Sequence, residues 1–122
     1  MKLREDHAAY LKERGVNPER LADRYCSDGR DLRILYCDAN GEPYKDSRKQ
    51  GYVVRRPFPT GKPKFIAPAA SGSRPYLSAL MPDGYLDDIS IPLVLIEGPV
   101  KVDSCFTHIP TGYCFVGLTG TW

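Results

Sequence analysis

No stretch of this sequence stays apolar long enough to cross a bilayer. The longest candidate, Ile89 to Ile96, is interrupted by Ser90 and Pro92 and falls far short of the roughly 20 residues that a membrane helix needs. The first residues, Met-Lys-Leu-Arg-Glu-Asp-His, lead into a mixed polar segment rather than an apolar signal core, so a cytoplasmic location is expected. Metal and disulfide signatures are missing as well. Cys26, Cys37, Cys105 and Cys114 contain no C-x-x-C pair, which points to reduced thiols packed as small hydrophobes. The two histidines, His7 and His108, lack partners at metal-ligand spacing and are expected at the surface or at helix ends, His108 at a helix C-terminus. No Walker A lysine, dinucleotide fingerprint or G-x-S-x-G elbow is present, so NTP hydrolysis, Rossmann redox chemistry and serine-hydrolase chemistry have no support; Ser71-Gly-Ser73 reads as a loop. No internal repeat is visible.

What is present fits one small domain. The chain has 122 residues, 42% of them hydrophobic, with 17 basic and 15 acidic side chains and a formal net charge of +2. A chain of this length supports a single core. Eleven Gly and eleven Pro imply many short connections and few helices.

Ala8, Tyr10 and Leu11 recur at helical spacing between Glu5 and Arg14, and Gly15 stands where a helix end favours a left-handed residue. Asn17-Pro18-Glu19 is a start signal, which predicts a second helix over Pro18 to Tyr25 and hence an N-terminal helical hairpin. Leu32 to Cys37 reads as a strand that turns at Asp38-Ala-Asn-Gly41. Tyr52 to Arg56 reads as another, ending at Pro57, with a short third strand over Lys64 to Ile66. Residues 67 to 88 read as loop, with one helical turn near Tyr76 to Leu80. Ile91 to Ile96 is a strand of the kind buried on both faces. Pro99 opens a helix running to His108 with Val102, Cys105 and Phe106 inward, and Tyr113 to Leu118 is a second apolar strand. Strand, helix, strand makes a βαβ unit with parallel strands.

Glu97 stands where an apolar strand gives way to a helix, the place where open α/β sheets present ligand-binding groups. A carboxylate there suits Mg²⁺. Gly98 lets backbone approach a phosphate, and Lys101, one turn into the helix, could meet the same anion. In the alternative reading, Glu97 complements the positive helix N-terminus and Lys101 is a solvated surface residue.

The residues from Ile91 through Leu95-Ile96-Glu97-Gly98-Pro99-Val100-Lys101 to Asp103, followed by Gly112-Tyr113 and Val116-Gly-Leu-Thr-Gly-Thr-Trp122, resemble the first half of a Toprim-like domain. In particular they are similar to the DUF3854 type found in primase and primase-helicase proteins of phages and plasmids. His7 to Gly15 with Asn17-Pro18-Glu19, and Arg55-Arg56-Pro57 with Lys62 to Pro68, resemble the upstream parts of the same family. The resemblance implies that Glu97 corresponds to the acid/base or metal-associated glutamate and Lys101 to the basic residue of the following helix. The later Asp-x-Asp pair that holds Mg²⁺ in Toprim sites is not found up to Trp122, and Asp87-Asp88 is adjacent rather than alternate and precedes the glutamate. Glu97 and Lys101 therefore form an incomplete catalytic set. Mg²⁺ would bind only if a missing segment or a second chain supplied carboxylates. The residues are then either a fragment of a longer protein or a short protein that keeps half of the fold for binding.

Between Lys45 and Lys64 the chain carries seven basic residues against Asp46 alone, a net +6 that leaves −4 for the remainder. Lys45, Arg48, Lys49, Arg55, Arg56, Lys62 and Lys64 interleave with aromatic residues including Tyr52 and Phe58, a composition suited to tracking phosphates and stacking unpaired bases. The same pattern also fits a sheet edge protected by cations, with the rings in the core.

These features lead to an α+β domain over residues 1–122: a helical hairpin (1–30), a β and loop region with the basic stretch (31–88) and a half-Toprim βαβ unit (89–122). The expected function is binding of single-stranded DNA or RNA within a replication or mobile-element protein, with no membrane involved. The alternative is a small phage- or plasmid-encoded protein that binds another protein, for example to inhibit a host defence nuclease. The strand edge near Tyr113 to Trp122 is expected to be capped either by self-association or by a protein partner.

Overall fold

The computed structural model describes residues 3–58 and 65–118. Its regular elements are helices α1 (Glu5–Glu13) and α2 (Pro99–His108) and strands β1 (Tyr25–Asp28), β2 (Asp31–Leu35), β3 (Val53–Arg56), β4 (Tyr76–Leu77), β5 (Leu93–Glu97) and β6 (Cys114–Leu118), with a 3-10 turn at Tyr85–Asp87. The class is mixed α+β. The strands form two sheets, an antiparallel β1-β2-β3 meander and a β4-β6-β5 sheet in which β5 and β6 run parallel. One continuous cluster joins them, drawing Leu11, Tyr25, Ile34 and Val54 from the amino-terminal half and Val100, Val102, Phe106 and Phe115 from the carboxy-terminal half.

The N-terminal hairpin resolves into one helix and a strand. α1 forms as its spacing predicts, with Glu5 and Asp6 in the first turn, where the helix dipole favours acids, and with Gly15 at φ +76° just past its end. A side chain at Gly15 would also collide with the His108 ring. Asn17 caps as expected, its Oδ1 accepting the Glu19 N–H at 3.0 Å. No helix follows, however: residues 18–24 form successive turns, and the chain enters β1 at Tyr25. Tyr25 pairs with Ile34 and is fully buried, so sheet pairing overrides the local helix signal.

Residues 36–52 contain a repeat that composition hides. Asp38 Oδ1 accepts the N–H groups of Asn40 and Glu42, and Asp46 Oδ1 accepts those of Arg48 and Gln50, at 2.8–3.0 Å. Each Asp N–H donates to the carbonyl four residues on, and each Asp carbonyl accepts from the residue three on, Gly41 or Lys49. Those two residues hold left-handed φ values, +82° and +61°. Three tyrosines eight residues apart close the unit: Tyr44 N–H donates to Tyr36 O, Tyr52 N–H to Tyr44 O, and Tyr36 N–H to Tyr52 O. The sequence therefore has a degenerate octad, Tyr-x-Asp, whose remaining positions differ too much in chemistry to stand out.

Beyond β3, only Ile66 pairs, bridging Arg55 with both backbone hydrogen bonds; Lys64, the other end of the expected third strand, lies outside the described residues. The helical turn near Tyr76 is instead the short strand β4, antiparallel to β6. In the βαβ unit, β5, α2 and β6 fall where expected, in parallel register Leu93↔Cys114 to Glu97↔Leu118. Gly117 lets α2 approach β6, since a Cβ there would lie 2.9 Å from Tyr76 Cβ and 3.0 Å from Val102 Cγ2. β5 is not buried on both faces. It is the outer strand, with Val94 and Ile96 packed on the core while Leu93, Leu95 and Glu97 are exposed. β5 is therefore an open edge of its sheet, whereas β6 is paired on both sides at Val116 and Gly117, where β4 meets it; residues 119–122 of the expected edge lie outside the described residues. Among the described residues no helix is long and apolar enough to cross a membrane.

Candidate nucleic-acid interface

The basic stretch divides into cations that the fold uses and cations that it leaves free. Lys45, Arg48 and Lys49 sit on the second octad loop, fully exposed, and join none of the ion pairs among the described residues. The loop is fastened at its base. Ser47 N–H donates to Ser71 Oγ at 2.8 Å, Ser47 Oγ to Ala69 O at 3.2 Å and Tyr52 OH to Gly72 O at 2.8 Å.

Arg55 and Arg56 point to opposite faces of the first sheet. Arg55 lies on the outer face, its Nη1 3.0 Å from Asp28 and 3.4 Å from Asp31. Arg56 faces inward at 7% exposure. Its guanidinium rests 4.2 Å from the Tyr10 ring centroid and 4.8 Å from that of Phe58, and its Nε and Nη1 have no hydrogen-bond partner among the described residues. A single phosphate cannot engage both arginines in this fold. Tyr52, the candidate stacking ring, is fully buried, because alternation along the strand turns it inward. Phe58 is half-buried against His7 and Tyr10 at centroid distances of 4.6 and 5.4 Å. Lys62 and Lys64 lie outside the described residues.

Glu97 closes β5 and Lys101 stands in the first turn of α2, both exposed and without an ion pair. Gly98, at φ +91°, connects them, and its N–H donates to Leu118 O at 3.0 Å. The strand-to-helix junction is thus placed as expected. No group of three His, Cys, Asp or Glu side chains gathers to hold a metal among the described residues. Glu97 alone supplies one carboxylate, and with no further acidic ligand gathered beside it among the described residues it does not make a resident Mg²⁺ site by itself.

Two polar residues expected elsewhere, or not singled out at all, are central to the structure. Asp103, fully buried on α2, accepts hydrogen bonds from Tyr25 OH at 2.5 Å, Tyr76 OH at 2.6 Å and Ser78 Oγ at 2.6 Å. Burial raises its carboxyl pKa, against the lowering effect of the three hydroxyls and of Arg24. Burial likewise holds the Tyr25 and Tyr76 hydroxyls well above their ordinary value. The cluster ties β1 and β4 to α2 and so links the two sheets. His7 is buried rather than at the surface: Nε2 donates to Arg30 O at 3.0 Å, and Nδ1 accepts from Ser27 Oγ at 2.6 Å. Both residues could have been found from helical spacing, since His7 shares the inner stripe of Leu11 and Asp103 lies three residues from both Val100 and Phe106. His108 is exposed at the end of α2, as expected, with Nδ1 donating to Ser104 O. All four cysteines are free, Cys37 and Cys114 buried and the other two half-buried.

A cleft of about 510 Å³ opens elsewhere, lined by Asp23, Arg24, Asp38, Asp83, Tyr85 and Asp87 among others. Neither Glu97, Lys101 nor the second-loop cations line it. No family model, curated protein or solved structure matches the chain.

Proposed function

We propose that this chain is a nucleic-acid-binding module of a replication or mobile-element protein, preferring single strands and without turnover of its own. One observation carries the reading: Lys45, Arg48 and Lys49 stand exposed on a fastened loop and form no ion pair among the described residues, an arrangement suited to sequence-independent phosphate contact. The single-strand preference is supported by the helices, neither of which carries the run of exposed cations that a groove-reading helix uses. Glu97 at the end of β5 and Lys101 in the first turn of α2 support kinship with Toprim-like sites, but among the described residues the carboxylates that would complete such a site are not gathered around them.

The test is fluorescence anisotropy with labelled single- and double-stranded oligonucleotides at two salt concentrations. Salt-sensitive micromolar binding that favours single strands is expected; no binding to either contradicts the reading. Incubation with Mg²⁺ or Mn²⁺ should give no cleavage or synthesis, and activity abolished by Glu97→Gln would overturn catalytic incompleteness.

A second reading has its own observation. β5 is an open edge of its sheet, and Leu93 and Leu95 are 60% and 57% exposed on it. A protein partner that adds a strand there would pair the edge and cover both leucines. Light scattering on wild type and Leu95→Lys distinguishes self-association through this edge from a monomer.

A further inference from the structure

The two octad loops share a backbone and differ in charge. The first, residues 38–42, carries Asp38 and Glu42 with no cation; the second, residues 46–50, carries Asp46, Arg48 and Lys49, with Lys45 immediately before it. Their hydrogen bonds correspond one for one. At the single position where both chains pass into the left-handed region, the first loop uses Gly41 and the second uses Lys49.

Glycine adopts that conformation without steric penalty, whereas a long side chain is disfavoured there. Nothing in its polar contacts offsets the strain at Lys49: it is exposed, and its ammonium has no hydrogen bond or ion pair among the described residues. Nor does crowding exclude glycine, since the loop is solved with glycine eight residues earlier. The other non-glycine residue in this region, exposed Ala70 at φ +54°, carries no charge, whereas at Lys49 the strain holds a cation in solvent, where an external anion can reach it.

We infer that Lys49 is held in this strained conformation in order to contact phosphate, with Arg48 and Lys45 beside it, and that the acidic sister loop is the matching surface from which phosphate is excluded. The inference rests on the nucleic-acid reading and makes it specific: the phosphate contact is a preformed loop rather than a flexible basic segment. Asp38 stands in the wall of the acidic cleft with Asp23, Asp83 and Asp87, a surface that repels phosphate. The bound strand is thereby confined to the side of the second loop.

The experiment pairs Lys49→Gly with Gly41→Ala. A Cβ at Gly41 meets nothing within 4 Å, so Gly41→Ala reports the left-handed penalty alone, and a lowered Tm is expected. Lys49→Gly should melt at or above the wild-type temperature. It should bind a single-stranded oligonucleotide roughly 3–10-fold more weakly, and the slope of log K against log salt should be shallower by about 0.7, the loss of one phosphate contact. If wild type binds and Lys49→Gly matches it in affinity and slope, the inference is wrong while the nucleic-acid reading stands. If Lys49→Gly melts below wild type, Lys49 serves the fold and the inference is again wrong. If wild type itself does not bind, both fall together.

Discussion

Two polar clusters in this molecule are built on opposite terms. Around Asp103, three hydroxyls converge on one buried carboxylate that ties β1 and β4 to α2. On the loop at residues 45–49, three cations stand exposed with no anion paired to them among the described residues. A buried polar group must be satisfied from within, because water cannot reach it, and its partners then become part of the architecture. An exposed cation on a fastened loop is solvated at little cost and stays available to an external anion. The difference separates the polar residues that hold the fold from those that can serve a partner. Arg55 and Arg56 belong to neither group cleanly: Arg55 is engaged by Asp28 and Asp31 on the outer face, and Arg56 lies buried against the Tyr10 and Phe58 rings, so neither is as available as the loop cations.

The largest effect that would break this division is expected at Asp103. Asp103→Ala leaves three hydroxyls buried without an acceptor and should cost about 3–5 kcal/mol in denaturant unfolding, enough to threaten folding altogether. A loss under about 1 kcal/mol would show that the cluster does not join the sheets.

Alkaline titration tests the same cluster without mutation. Tyr25 and Tyr76 have pKa values raised well above 10.0 in the folded protein, so the unfolded chain releases these protons first as pH rises. Stability should therefore fall above pH 10, by about 1.4 kcal/mol per pH unit for each of the two tyrosines, until the folded values are reached. Chemical denaturation at several pH values measures it, and a flat profile would contradict the arrangement. Asp103 has the same sign in a lower window: its raised carboxyl pKa favours the folded state below 3.8 and contributes less as pH rises through the folded value.

Smaller effects sharpen the comparison. Asp38→Ala and Asp46→Ala each remove the acceptor of two loop N–H groups and should each cost about 1–2 kcal/mol, similar to one another because the loops share a backbone. Arg56→Met exchanges two ring contacts for relief of two unpartnered buried nitrogens. Its stability should change by less than about 1 kcal/mol, with binding unaltered. A larger loss would give Arg56 a partner beyond the rings.

The sequence conveys the βαβ unit well because its signals are local and agree with one another: an apolar run, Pro99 at a helix start, and a second apolar run. It does not show that β5 is the outer strand, since Leu93 and Leu95 look like core residues until the strand order β4-β6-β5 is known. Asn17-Pro18-Glu19 signals a helix reaching Tyr25, and the Asn17 side chain does accept the Glu19 N–H; the strand pairing of Tyr25 with Ile34, nine residues away, prevails and only turns form. The basic stretch was legible as charge but not as geometry. Strand alternation sends Arg56 inward and Arg55 toward Asp28 and Asp31, contacts at sequence separations of 24 and 27 that no local pattern reveals. The octads were hidden because what repeats is hydrogen bonding, anchored by Tyr and Asp, while the surface positions carry opposite charge.

The most direct test of the division between structural and available charge is the salt dependence of single-strand binding by wild type and by the triple variant Lys45→Ala, Arg48→Ala, Lys49→Ala. These side chains make no contact that the fold needs, so stability should stay within about 0.5 kcal/mol. The slope of log K against log salt should become shallower by about 2, three contacts at roughly 0.7 each. Equal slopes for the two proteins would place the phosphate contacts elsewhere and contradict the account.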